Sequence, residues 1–379
     1  MKETIFWISF AIILYIYFGY GTLLFIAAKF LRKAIKKADF MVPVNVVIVA
    51  HNEEANIKNK IINILSQDYP NKLLKLIIVS DGSRDRTADI VREFKADNVE
   101  LIEIKERVGK AEALNRALSL CDAEFVVLAD SRQEFEKAVL KELISNFKDE
   151  NVGAVSGELL FRNDRETVVG RGLGFYWNYE KFLRNTESKI DSTCGATGAI
   201  YAIRKKLFRP IPADTLLDDV VIPMNIVMQG YRCIFEPVAR AFDSVASTPD
   251  QEARRKIRTI AGNFQMFFRY WEWLNPFKNR IWFQTVSHKF LRLVAPVFLV
   301  AIFISNLMLI NENTFFKAIF YLQIFFYSLG FIGIFLQKNN LKSKLCSIPL
   351  TFIMLNFITV RAFWEFLFKK PQELWRSNK

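Results

Sequence analysis

AEFVVLADSRQ, residues Ala123 to Gln133, is the stretch on which the reading of the fold turns. Phe125 to Ala129 is an unbroken apolar run rich in valine, which suits a strand covered on both faces inside an α/β layer rather than one with a wet side. It stops at Asp130, Ser131 and Arg132, so a carboxylate, a hydroxyl and a guanidinium arrive together where the buried rail ends. In open α/β sheets ligands sit beyond the carboxyl ends of the strands, where strand order reverses. Asp130 is therefore placed to meet a ligand.

Two earlier stretches share the design. Val44 to Ala50 (VNVVIVA) stops at His51, Asn52, Glu53 and Glu54, and Leu74 to Ser80 (LKLIIVS) stops at Asp81, Gly82 and Ser83. Asp81 alone reads equally well as a helix N-cap. Acids from three strands on one sheet edge repel one another unless a cation or a donor-rich ligand holds them, so together they read as a site. Between the strands, Ile57, Ile61, Ile62 and Leu65 predict a helix over Glu54 to Leu65, and Ile90, Val91 and Phe94 a second, capped by Ser83 or Asp85. Val99 to Ile104 is a short strand, and Ala113, Leu114, Ala117 and Leu118 form the inward stripe of a third helix. Lys110, at the mouth of that helix, reads either as an anion ligand acting with the exposed backbone N–H groups or as a solvated lysine.

The flanks differ in composition. The chain has 379 residues, a formal net charge of +13, 51% hydrophobic residues and 36 phenylalanines, and the phenylalanine excess lies outside the middle. Ile5 to Phe30 is apolar except for Lys29, long enough for a tilted span where about 20 residues suffice. No small-residue cleavage pattern follows it, so it reads as a retained anchor. The basic cluster from Arg32 to Lys37 then places the next domain on the cytoplasmic side. Leu291 to Ile310 and Phe315 to Leu336 read as spans joined by a turn at Asn311 to Asn313. Ile348 to Phe368 contains Arg361 and Glu365, both costly at bilayer depth, and a full crossing would send the basic tail outward. Either it re-enters and stays inside, or the tail is an exception. Phe277 to Leu293 mixes cations with Trp282, Phe283 and Phe290, as a helix on the membrane surface does.

Cys121, Cys194, Cys233 and Cys346 have no zinc-like spacing, and in a cytoplasmic domain they stay reduced. His51 and His288, the only two histidines, speak against a histidine-ligated metal. Much of the positive charge flanks apolar runs, so membrane headgroups account for it and nucleic acid is not expected as a partner.

The ordered series AHNEE, VSDGSRDRT, RVGKAEALNRAL and LADSRQ resembles the donor-binding half of the family 2 glycosyltransferases. The resemblance implies a nucleotide-diphospho-sugar transferase (GT-A type) α/β domain with a mostly parallel central sheet, plus N- and C-terminal transmembrane helices. By it, Glu53 and Asp81 contact the base and ribose, Lys110 and Arg132 join the donor site, and Asp130 meets the diphosphate or its Mg2+ or Mn2+. A diphosphate is anionic, so acids beside it make sense through hydroxyls, base N–H groups or a divalent cation. The family's DxD pair is altered to Asp130-Ser131-Arg132, with arginine where the second acid belongs, and its planar fork suits phosphate charge.

Further on, Val152 to Leu160 reads as a strand. Gly170 to Glu187 carries Phe175, Tyr176, Trp177, Tyr179 and Phe182, which read as core or as a sugar platform. STCGATGAIYAIRKKLF resembles the small-residue turn and strand bordering the acceptor sugar in hyaluronan, cellulose and chitin synthases, which sets Cys194 and Gly195 beside the acceptor. Glycine permits close backbone approach, and Cys194 reads as a packed small residue rather than a nucleophile. In TLLDDVVIPMNIVMQGY, Asp218 and Asp219 precede a helix that only one of them is needed to cap. The pair resembles the family's ED motif, whose second acid, here Asp219, takes the proton from the acceptor hydroxyl. Gln251 and Arg254 match a QxxRW motif in which Arg255 replaces tryptophan. This basic helix reads as a headgroup contact or, favoured for Arg254 and Arg255, as stabiliser of the leaving diphosphate. The absent tryptophan argues against a long processive product.

The expected organisation is an anchor and basic flank at 1–40, a cytoplasmic glycosyltransferase domain at 41–260, interfacial helices at 261–290 and a C-terminal transmembrane region at 291–379. The expected activity is inverting transfer from a nucleoside diphosphate sugar to a saccharide or lipid-linked acceptor at the cytoplasmic membrane face, in cell-surface polysaccharide synthesis. Transfer of one sugar to a lipid carrier, or a nucleotide-sugar-binding subunit without turnover, are the alternatives.

Overall fold

The computed structural model describes residues 1–94, 96–162, 168–244, 249–339, 341 and 343–376. The chain opens with α1 (Lys2–Leu14) and α2 (Tyr20–Phe30), joined without a break by a π-turn at Tyr15–Gly19. The α/β domain then alternates β1 (Val44–Ala50), α3 (Glu54–Leu65), β2 (Leu74–Asp81), α4 (Thr87–Glu93), β3 (Val99–Ile104), α5 (Lys110–Leu120) and β4 (Phe125–Ala129). Next come β5 (Glu134–Phe135), α6 (Val139–Ile144), β6 (Val152–Arg162), α7 (Val168–Ile190), β7 (Ile200–Arg204), α8 (Asp218–Met228), β8 (Arg232–Ser244) and α9 (Pro249–Arg269). The C-terminal part holds α10 (Trp282–Gln284), α11 (Leu291–Leu309), α12 (Thr314–Lys338), α13 (Lys344–Phe368) and α14 (Pro371–Arg376).

The strands form one eight-stranded sheet in the order β3-β2-β1-β4-β7-β6-β8-β5. β1 pairs in parallel with both β2 and β4, so the chain moves outward through β2 and β3 and returns on the other side of β1. That reversal lies between β1 and β4, and a ligand crevice belongs beyond their carboxyl ends. β7 runs antiparallel to β4 and β6, while β6 and β8 are parallel. Every residue of β4 is buried, as a strand covered on both faces requires.

Alternate residues feed two apolar layers, following the two-residue period of a strand. Val47, Ile77, Val79, Val126 and Leu128 pack under α5, α8 and α9, whereas Val46, Ile48, Leu76, Ile78 and Val127 pack under α3 and α6. The inward stripe of α3 is Ile57, Lys60, Ile61 and Ile64, while Ile62 is exposed. The predicted stripe through Ile62 and Leu65 is thus rotated by about one residue, because it overlooked a lysine on the buried face.

Among the described residues, four helical stretches are long and apolar enough to cross a membrane: Lys2–Phe30, Trp282–Leu309, Thr314–Gln337 and Lys344–Phe368. Lys2 Nζ lies 3.0 Å from Glu312 Oε1, which brings the start of α1 to the turn between α11 and α12. The costly charges of α13 neutralise each other, with Arg361 Nε 3.1 Å and Lys369 Nζ 3.3 Å from the Glu365 carboxylate. The far end of α13 packs on α9, where Phe264 meets Phe363 and Phe366 at ring distances of 5.1 and 6.2 Å. Leu374 of α14 joins the same apolar core as α8 and α9.

A buried polar array fastens these helices to the α/β domain. The ring nitrogens of His288 lie 2.7 Å from Glu187 Oε1 and 2.9 Å from Glu180 Oε1. Arg292 donates to Glu180 Oε2 at 2.8 Å and the Tyr20 hydroxyl to Glu187 at 2.6 Å. Burial would raise the Glu180 carboxyl, but His288, Lys289 and Arg292 hold it well below the usual carboxylate range.

Candidate active site

The strand ends converge as the topology requires. Asp81, the last residue of β2, is buried, and its two carboxylate oxygens accept the Val108 and Gly109 N–H groups at 2.7 and 3.0 Å. Its direct work is to fix the loop that opens α5, and so to set Lys110. His51 lies 2.6 Å from the Asp81 carbonyl oxygen through Nδ1. Asn52 accepts from the Arg84 N–H at 2.8 Å and donates its own N–H to Ser83 Oγ at 3.2 Å. The Glu53 N–H donates to Thr87 Oγ1 at 2.8 Å, and its carboxylate, at the sheet edge, accepts from Asn56 at 2.8 Å. The loops after β1 and β2 are thereby stitched into one rim.

Lys110 is the centre of the site. Its Nζ lies 3.0 Å from Asp130 Oδ1 and 3.3 Å from Asp218 Oδ2, joining the end of β4 to the start of α8. Burial alone would lower the lysine's pKa, but Asp130, Asp218 and Asp219 together hold it well above its ordinary value. Asp219 responds in the opposite sense. Loss of solvation first, and then the charges of Asp218 and Asp130, push its carboxyl up to about 6 against the opposing pull of Lys110 and Arg184. Tyr201 of β7 is fully buried near the same acids, and burial with their negative charge keeps its hydroxyl protonated well above its usual range. Arg258 of α9 faces this group too, its pKa drawn down by burial while Asp130, Asp219 and Asp218 oppose that shift.

The turn before β7 is shaped around Asp219. The Ala196 N–H donates to the Asp219 carbonyl oxygen at 2.7 Å. Gly195 adopts φ +95°, and a Cβ on Gly198 would stand 2.8 Å from Asp219 Oδ2. Glycine is needed at the first for its backbone and at the second for space. Arg184 donates to Thr197 Oγ1 at 2.9 Å and lies 3.5 Å from Glu180, linking this turn to the array below.

The remaining sequence-predicted residues are dispersed. Arg132 is exposed after β4. Cys194 is buried with Sγ 3.7 Å from Thr285 Oγ1, and burial pushes its thiol far above the usual range. Arg254 is exposed, and the Arg255 guanidinium sits 5.5 Å from the Phe161 ring centroid. Gln251 lies in the first turn of α9, with its side chain outside the described residues. Three site neighbours escaped the sequence reading, Arg184, Tyr201 and Lys60, and Arg258 enters it only as one cation of the basic helix, behind Arg254 and Arg255. Lys60, buried on α3, donates to the Gln133 carbonyl oxygen at 2.6 Å and lies 3.6 Å from the Phe135 ring centroid, holding the loop that follows Asp130. Burial lowers its pKa to about 7. Arg258 could have been preferred over Arg254 and Arg255, since it lies beside the Ile257 and Ala261 stripe that faces the core.

A divalent cation can be tested against these groups. Among the described residues no group of three or more His, Cys, Asp or Glu is disposed to hold a metal ion. Asp218 Oδ2 is buried and, apart from the ionic approach of Lys110, makes no hydrogen bond among the described residues. A cation that completes its shell with diphosphate oxygens and water needs only one or two protein carboxylates, and Asp130, open at the sheet edge, fits that single-ligand role.

A mostly parallel sheet, ligand-side acids at the ends of β1, β2 and β4, and the Lys110 cluster define a GT-A-type domain. Residues 45–211, most of the α/β domain, match the model for glycosyl transferase family 2. It is 23% identical over 265 residues to the poly-beta-1,6-N-acetyl-D-glucosamine synthase of Staphylococcus aureus strain COL, covering 67% of this chain and 64% of that protein. The Staphylococcus epidermidis synthase is 23% identical over 298 residues, covering 75% and 70%. The chain thus spans a little under two thirds of the length of the staphylococcal relative from strain COL. A mannosyltransferase from Pyrobaculum calidifontis, solved with GDP-Man and Mn2+, superposes with a TM-score of 0.73 at 24% identity, covering 98% of this chain and 100% of that one. This likeness is one of fold.

Proposed function

We propose that the chain is an inverting glycosyltransferase that moves a sugar from a nucleoside diphosphate sugar to a saccharide or lipid-linked acceptor in cell-surface polysaccharide synthesis. The observation that carries this reading is Asp219, a carboxyl raised to about 6 beside the cations Lys110 and Arg184 and the further acids Asp130, after β4, and Asp218, at the start of α8. A base of that strength is ionised at neutral pH and still strong enough to accept a hydroxyl proton. The acceptor oxygen attacks the anomeric carbon as its proton passes to Asp219. The bond from that carbon to the diphosphate oxygen breaks, and its electron pair leaves with the nucleoside diphosphate. Lys110 and Arg258 stabilise the charge that develops there. Mg2+ or Mn2+, held by Asp130, would add charge neutralisation to the same diphosphate.

Glu53 lies on the rim where the nucleoside would rest, and Asp81 serves it by fixing the Lys110 loop. The sugars named for the relatives make mannose and N-acetylglucosamine the first donors to try. The basic cluster from Arg32 to Lys37 supports a cytoplasmic α/β domain. The Lys2 to Glu312 pair then supports an outer position for the N-terminus and the turn after α11. The packing of Phe366 and Leu374 beside α9 supports an inner position for the tail, so that α13 does not cross completely. Purified protein given a panel of nucleotide sugars with Mg2+ or Mn2+ should release the matching nucleoside diphosphate from one of them. Release from none would refute the proposal.

A further inference from the structure

Between β6 and α7 lies a cavity of about 370 Å³ lined by Glu158, Phe161, Trp177, Asn178, Arg184 and Thr197, among others. Its size falls within the roughly 300–1,000 Å³ of small-ligand sites. We propose that this cavity holds the saccharide end of the acceptor, an inference that rests on the glycosyltransferase reading and gives its acceptor a chemical class.

Three observations carry it. The first is position: Thr197 lines the cavity, and the next residue, Gly198, abuts the Asp219 carboxylate. Successive Cα atoms are about 3.8 Å apart, so the cavity ends one residue from the base. The second is the wall. Phe161 and Trp177 stand with ring centroids 5.4 Å apart, and Lys256 lies 5.5 Å from the Trp177 ring. Sugar rings present apolar C–H faces to aromatic rings and hydroxyl edges to polar groups, and Asn178, Glu158 and Thr197 provide the latter. The third is charge. Lys181 and Arg240 pair with Glu158, and Arg184 with Glu180, while Lys256 and Arg255 lie against the Trp177 and Phe161 rings, so each of these cations is already engaged by a carboxylate or an aromatic face. A lipid phosphate would need unpaired cations, and a prenyl chain a wholly apolar wall. A hydroxylated ring suits both features.

The full chain in lipid nanodiscs, titrated with β-1,6-linked N-acetylglucosamine tetrasaccharide and with mannotetraose, tests this by tryptophan fluorescence. Saturable binding of at least one of them is expected, weakened at least tenfold in Trp177→Ala and restored to within threefold in Trp177→Phe. Thermal unfolding and nucleotide-sugar affinity should be unchanged in both variants. Binding of neither saccharide, equal binding by Trp177→Ala, or displacement of the bound saccharide by a polyprenyl phosphate would overturn the assignment. Nucleoside diphosphate release, measured separately, tells failure of the acceptor site from failure of the transferase reading.

Discussion

Among single residues, Asp219 and Lys110 carry the proposed chemistry. A base works only when deprotonated, so with its carboxyl at about 6 the value of kcat/KM should fall as pH drops through that point and level off above it. Lys110 opposes the rise, since its positive charge favours the carboxylate. In Lys110→Met that help is gone, so the acid limb should move to higher pH and nucleotide-sugar binding should weaken. A pH profile of nucleoside diphosphate release, measured for both proteins, checks the direction; a limb that stays put separates the lysine from the base. The Asp218 and Asp219 pair stood out in the sequence because two acids stood where one suffices for a helix start, and only the resemblance to the ED motif singled out the second. The work of Asp81 could not, because its hydrogen bonds go to Val108 and Gly109, across a loop whose path no local pattern specifies.

At the scale of elements, the turn before β7 and helix α9 make separable contributions. Gly198→Ala puts a methyl group 2.8 Å from Asp219 Oδ2, the mobile end of a side chain, so the carboxylate gives way while the fold survives. The expected result is a drop in kcat of at least about tenfold with little change in thermal stability, since small misplacement of a reacting group is costly. Turnover equal to the parent's would show that the turn does not position the base. On α9, Arg258→Gln should lower kcat by about 100-fold, the scale of losing one transition-state donor. Arg254→Gln, at an exposed position, should stay within about threefold, as surface changes do. Kinetics of the two variants side by side decide which cation serves the diphosphate.

Strand and helix succession from Val44 to Ala129 was legible because buried parallel strands announce themselves as apolar runs and α5 has a clear inward stripe. What stayed hidden were pairings over long separations. The two-residue strand β5 exists only by pairing with β8, and the inward turn of Arg258 depends on the packing of α9 against α13. Lys60 was passed over because a lysine at a helical core position reads as solvated until a carbonyl oxygen and an aromatic ring are found beside it.

At the scale of the whole molecule, the membrane helices are fastened to the site rather than merely appended to it. Glu180 joins His288 and Arg292 on one side and Arg184 on the other, and Arg184 reaches the turn that holds Asp219. The packing of Phe363 and Phe366 on α9 makes the proposed inner position of the tail testable. In inside-out vesicles, single cysteines placed in the tail should react with an impermeant maleimide, and a cysteine at Asn311 should not. The reverse pattern at the tail would mean that α13 crosses fully. The sequence left those two possibilities open because hydropathy reports length and not the partner that an apolar face finds.

The most direct test of the central claim is nucleoside diphosphate release by Asp219→Asn beside the parent protein, with nucleotide-sugar affinity measured on the same samples. Release should be reduced by at least about 1,000-fold, the lower range for a residue that makes its contribution only in the transition state, with donor affinity within about threefold. Release at the parent's rate from a protein that binds donor normally would contradict the claim.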